Sequence, residues 1–96
     1  MQPPGVDILA SKRNGTLDTG ARRTSFVQRV WQQKTGVVEG FTKRYRVHML
    51  VWFEIHETMV SAIAREKAIK EWKRAWKIEL IEKSTPTWRD LSGEFV

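Results

Sequence analysis

Apolar and polar positions alternate along some stretches of this 96-residue chain and recur every three to four residues along others. Two short apolar-rich runs, residues 6–10 and 16–19, flank Ser11-Lys12-Arg13-Asn14-Gly15. Asn-Gly between such runs predicts a β-hairpin with Asn14-Gly15 at its tip, because both residues accept the left-handed backbone of a tight turn. Thr24-Ser25 then precedes Phe26, Val27, Val30 and Trp31, and Gln28 follows Ser25 at the capping-box spacing. A helix is expected over residues 25–34, ending near Gly36, with a loop over 36–46. Residues 47–56 alternate most clearly. The odd positions Val47, Met49, Val51, Phe53 and Ile55 are all apolar, and the even positions His48, Leu50, Trp52, Glu54 and His56 are mixed. This is a strand whose odd side is expected to face the core.

Residues 58–83 have helical character throughout. At 100° per residue, however, Val60, Ile63 and Ala64 point roughly opposite to Ile69, Trp72, Trp76 and Leu80. One straight helix cannot bury both sets against the same core. A break near residues 70–74 is predicted, giving helices over about 58–70 and 73–83. The spacing of Trp72 and Trp76 suits core positions, as does Trp31, whereas Trp52 stays open between core and surface. Pro86 bars simple continuation, and Trp88 is expected to fold back onto the core. The element order is β-β-α-β-α-α. The chain is expected to form a single domain over residues 1–96, of the α+β class: a small three-stranded antiparallel sheet flanked by helices.

Charge and composition narrow the picture. The 17 basic residues exceed the 11 acidic ones, a net charge of +6 that suits a polyanionic partner. With no cysteine, disulfides and thiolate metal sites are excluded. No apolar run reaches the ~18 residues of a membrane span, and Met1-Gln2-Pro3-Pro4-Gly5 does not read as a secretory signal, so a cytoplasmic protein without membrane contact is expected. His48 and His56, eight residues apart on one strand, would be separated by ~26 Å and cannot share a metal. Lys67, Lys70, Lys73, Arg74 and Lys77 fall in one angular sector and, with Lys43, Arg44 and Arg46, are candidate phosphate contacts. The interleaved Glu71 and Glu79 fit a plain solvated face instead.

Several segments, in order, resemble the GIY-YIG endonuclease domain, in particular its small single-domain bacterial members. Gly5-Val6-Asp7 stands in the place of the first motif and Asp18-Thr19-Gly20 in that of the second, with a linking segment of the expected length. Arg29-Val30-Trp31-Gln32-Gln33-Lys34, Gly40-Phe41-Thr42-Lys43-Arg44-Tyr45, Ala62-Ile63-Ala64-Arg65-Glu66-Lys67, Trp72-Lys73-Arg74 and Pro86-Thr87-Trp88-Arg89-Asp90-Leu91 continue the likeness over residues 5–91. The resemblance implies metal-assisted phosphodiester hydrolysis of DNA. By position it makes Arg29 the cation on the phosphate and Glu66 the carboxylate holding a divalent metal such as Mg²⁺. The chemistry is consistent, since a hard cation takes a carboxylate and a developing phosphorane takes a fixed positive charge.

The departures from the family concentrate in the catalytic pocket. Asp7 and Asp18 replace both motif tyrosines, and the one tyrosine left, Tyr45, falls in the expected loop. Gln33 stands where a histidine is usual, and Thr85 where an asparagine is usual. The segment Ala21-Arg22-Arg23-Thr24-Ser25 is one residue longer than usual, which displaces Arg29 relative to Gln28. Such clustering is what repurposing or deliberate redesign of a site produces. The expected function is therefore a nuclease-like scaffold with a dismantled catalytic site, leaning away from enzymatic activity. Its altered face would bind a protein or ligand, with Phe26, Val27, Met59 and Val60 as candidate apolar contacts. No cofactor is expected, or Mg²⁺ at Glu66 if activity is retained. The alternatives are a divergent metal-dependent endonuclease, in which Asp7 or Asp18 activates water beside Glu66, and a DNA-binding module without catalysis. Asp7, Asp18 and Glu66 are expected to converge in one cleft.

Overall fold

The computed structural model of the protein describes residues 3–22 and 47–91. The helix expected over 25–34, the loop over 36–46, Trp31, Lys43, Arg44, Arg46, and the site candidates Phe26, Val27 and Arg29 lie outside these residues. Three strands form one antiparallel sheet: β1 (Gly5–Ala10), β2 (Leu17–Arg22) and β3 (Met49–Ile55). Their order is β2-β1-β3, so β1 is central and buried along its whole length. Two helices follow, α1 (Met59–Glu71) and α2 (Arg74–Ser84). The described order is thus β-β-β-α-α, and the α+β class with a three-stranded antiparallel sheet is borne out.

The hairpin turns where the sequence places it. Asn14 takes a left-handed backbone (φ 58°), and Gly15 N–H closes the turn on Lys12 O at 2.9 Å. A β-carbon on Gly15 would lie 2.3 Å from Ser11 Oγ and 2.8 Å from Lys12 Cγ, so the tip needs glycine. The Arg74 guanidinium of α2 donates to Asn14 O and Gly15 O, pinning the tip to the helical layer.

The expected core face of β3 is corrected by a bulge. Trp52 pairs with Ile8 but Leu50 pairs with Leu9, so Val51 is an extra residue opposite β1. The extra residue inverts the alternation between the two halves of the strand. Val51 and Trp52 both join the larger core cluster with Val6, Ile8 and Ala10. Leu50 packs on the other side with Leu9, Val47 and Leu91, where half-buried Phe53 also lies, and Ile55 is 54% exposed. The groups at the bulge are met from the C-terminal segment. Leu50 N–H donates to Asp90 Oδ1 at 3.2 Å, and Thr85 Oγ1 lies 2.8 Å from Val51 O and 2.9 Å from Ile81 O. Side chains from the far end of the chain thereby stabilise the irregular strand.

Thr58 caps α1, its Oγ1 accepting from Ser61 N–H at 3.1 Å. The predicted break falls at Trp72 and Lys73, both extended. A continuous helix over residues 59–84 would run about 39 Å, beyond the 30 Å long dimension of the molecule. It would also turn Ile81 about 120° away from Ile69, whereas both belong to the same core cluster. The reason given for the break needs correction. Val60 is 80% exposed and Ile63 39%, so this set is not buried at all; α1 instead packs on the sheet through Ala62 and Ile69. Trp76, expected in the core, is 54% exposed on the outer side of α2. Trp88 does fold back: it is 1% exposed, and its indole N–H donates to Glu82 Oε2 at 2.7 Å. Its φ of 58° is a conformation that costs ~1–2 kcal/mol for a residue with a β-carbon. Burying its large ring offsets that cost.

Candidate functional site

The hairpin register fixes how the two motif positions relate. Asp7 pairs with Gly20 and Asp18 with Leu9, so both aspartates project from the same face of adjacent strands, on a diagonal of about 7–8 Å. Asp7 is fully buried, and Asp18 is half-buried. Gly20 opposite Asp7 leaves that diagonal without an intervening side chain. Leu9 shares the face and leads into the smaller core cluster.

Glu66 belongs to the other layer. Ala62 and Ile69, one helical turn to either side of it, bury into the cluster built on Val6, Ile8 and Ala10, the opposite face of β1 from Asp7. The Glu66 side chain is 19% exposed and pairs with Lys70 Nζ at 3.5 Å. Among the described residues, no three His, Asp or Glu side chains form a group able to hold a metal ion. Asp7 and Asp18 share one face of the hairpin, as a common cleft requires, but the helix packing sets Glu66 on the opposite side of β1, so the three expected to converge in one cleft do not. Among the described residues the donors do not amount to a chelating site, and Glu66 offers a single carboxylate.

The candidate basic residues divide at the helix break. Lys67 and Lys70 are exposed on α1, Lys73 is exposed in the break, and Lys77 is half-buried on α2. Arg74 serves as a structural tether to the hairpin tip. Of the candidate apolar contacts, Met59 is half-buried and Val60 stands open to solvent.

Sequence reasoning missed an aromatic column. The Arg65 guanidinium carbon sits 5.9 Å from the Trp52 ring centre and 5.3 Å from that of Trp72. Trp72 meets Trp76 edge-to-face, with centres 6.4 Å apart and planes at 75°. Arg65 Nε also lies 3.3 Å from Glu54 Oε1, and that oxygen is 2.6 Å from His56 Nε2. His56 Nδ1 in turn reaches Ser61 Oγ at 2.9 Å, which ties β3 to the start of α1. The pairing of Trp72 with Trp76 four residues on, and of Arg65 seven residues before Trp72, was a signal in the sequence. The place of Trp52 was not, because it depends on the bulge. Beyond the column, Trp72, Trp76, Glu79, Leu80 and Lys83 line a cleft of about 270 Å³. No described helix is long and apolar enough to cross a membrane.

Comparison with curated proteins and with solved structures finds no match. The family model of the GIY-YIG catalytic domain matches residues 4–79, which takes in both motif strands, β3, all of α1 and the first half of α2. With the motif positions paired across the hairpin and the match extending over most of the sequence, this chain belongs to the GIY-YIG family.

Proposed function

We propose that this GIY-YIG domain does not cleave DNA and persists as a binding module. The observation that supports this is the placement of Asp7 and Asp18 on one face of the paired motif strands, where the family has tyrosines. A neutral tyrosine hydroxyl can orient a water without adding charge to the site. The half-buried Asp18 instead brings a carboxylate to the side from which a substrate phosphate would arrive. At an effective dielectric of about 20, one such charge at ~7 Å would oppose the phosphate by ~2 kcal/mol. The burial of Asp7 further removes it from a water that must reach a phosphate. Glu66 is the carboxylate that would hold Mg²⁺ if any activity were retained, and Arg29 would meet the phosphate. The extra residue in the segment before Arg29 and glutamine rather than histidine at position 33 argue against that arrangement, since small misplacements cost ~100-fold in rate. The retained role is binding. The exposed Val60, with Met59, Phe26 and Val27, offers apolar contacts for a protein or ligand. Lys67, Lys70, Lys73 and Lys77 offer charge to nucleic acid, whereas Arg74, also a candidate from the sequence, is engaged at the hairpin tip.

A plasmid-nicking assay with Mg²⁺ or Mn²⁺ tests the reading. No cleavage is expected from the chain as written, and little from the Asp7→Tyr, Asp18→Tyr double variant. Robust metal-dependent cutting that Glu66→Ala abolishes would replace this reading with that of a divergent nuclease.

A further inference from the structure

The column Trp52–Arg65–Trp72–Trp76 begins in the core and ends at the surface. Trp52 is 4% exposed, whereas Trp76 is 54% exposed. Each inner ring has a π-facing neighbour: Arg65 lies over Trp52 and over Trp72, and Trp72 meets Trp76. Trp76 ends the series beside the cleft of about 270 Å³. The open face of the Trp76 indole is an apolar surface that a flat ring can cover by stacking.

Cleft size and charge choose the partner. The volume is below the ~300–1,000 Å³ of ordinary small-molecule clefts and suits one ring system. Lys83 lines the cleft, and exposed Lys73 lies three residues before Trp76. Glu79 is the acidic member of the lining. The whole chain carries a net charge of +6. A planar ring tethered to negative charge complements this surface, and a nucleobase on a phosphate backbone has that chemistry. Base–aromatic stacking beside a cationic track is the general means of holding unpaired strands. We infer that Trp76, with Leu80 and Lys83, forms a stacking subsite for an unpaired base of a nucleic-acid strand. This subsite lies on α2 rather than on the motif strands and does not depend on whether the domain cleaves.

The test titrates the full chain into a labelled 12-nucleotide single strand and into the matching duplex, following anisotropy and tryptophan quenching. Trp76→Ala is expected to weaken single-strand binding between about 5- and 100-fold, and Trp76→Phe to recover most of it. The salt slope should be unchanged in Trp76→Ala, whereas Lys83→Gln should lower it by ~0.7. A thermal melt of each variant separates lost binding from lost folding, and Trp76 is exposed enough for Ala to be tolerated. Absence of strand binding, or equal affinity of Trp76→Ala and the parent, would overturn the inference. So would an equal dependence on Trp76 for the duplex, or quenching by free nucleotides at the concentrations where the strand saturates. None of these outcomes depends on the nicking assay.

Discussion

In the hairpin of β1 and β2, the positions that carry the family's chemistry hold carboxylates, one wholly and one partly buried. Where β3 meets the two helices, the polar groups are framed by tryptophans and tied to named partners. Glu54 joins Arg65 and His56, Trp88 reaches Glu82, and Thr85 reaches the bulged strand. The family's chemistry and its architecture thus rest on different parts of the molecule. Asp7 and Asp18 lie on the side of the hairpin away from the cluster that holds Trp52, so these two positions can differ without touching the aromatic frame that fixes the helices on the sheet.

The strongest way to break this contrast is to remove the frame. Trp88→Ala deletes a fully buried ring and should cost ~3–5 kcal/mol in urea unfolding. A loss below ~1 kcal/mol would show that the frame is not what holds the fold. Arg65→Leu sharpens the same point at smaller scale. It removes two cation–π contacts and the ion pair with Glu54, in a side chain about one-third exposed. A loss of ~1–2 kcal/mol is expected in the same assay, with Arg65→Lys recovering less than half because the planar guanidinium is gone. The hairpin tip should respond more weakly. Gly15→Ala forces Ser11 Oγ aside from its bond to Thr16 N–H and should cost ~1 kcal/mol, read as a lower melting temperature. Val60→Thr changes an exposed position outside both regions, and its melting curve should match the parent to within ~0.5 kcal/mol.

Local patterns made much of this fold legible. Asn14-Gly15 located the hairpin because a left-handed turn residue is a property of a few neighbouring atoms. Alternation located β3, and the break at Trp72 and Lys73 fell within the predicted 70–74, although the apolar set on Val60 and Ile63 that suggested it is exposed. The predicted hairpin put Asp7 and Asp18 on its two arms, but the register that pairs Asp7 with Gly20 and Asp18 with Leu9 came only from the structure. The candidate site was legible as positions, not as a gathered group: Glu66 could be assigned to a helix from the chain alone, but not to a layer of the fold.

What the sequence determined by itself was the set of elements described here, the hairpin tip and the identity of the motif positions, since each depends on residues within a turn or two of one another. The tertiary structure alone decided which faces are covered. The bulge at Val51 carries Trp52 into the larger cluster, and Asp90 and Thr85, some 34–40 residues away, satisfy the groups it disturbs. The same long-range packing leaves Val60 and Trp76 open and commits Arg74 to the hairpin tip. Periodicity marks a stripe as apolar, but only the partner that arrives from elsewhere in the chain determines whether that stripe is buried.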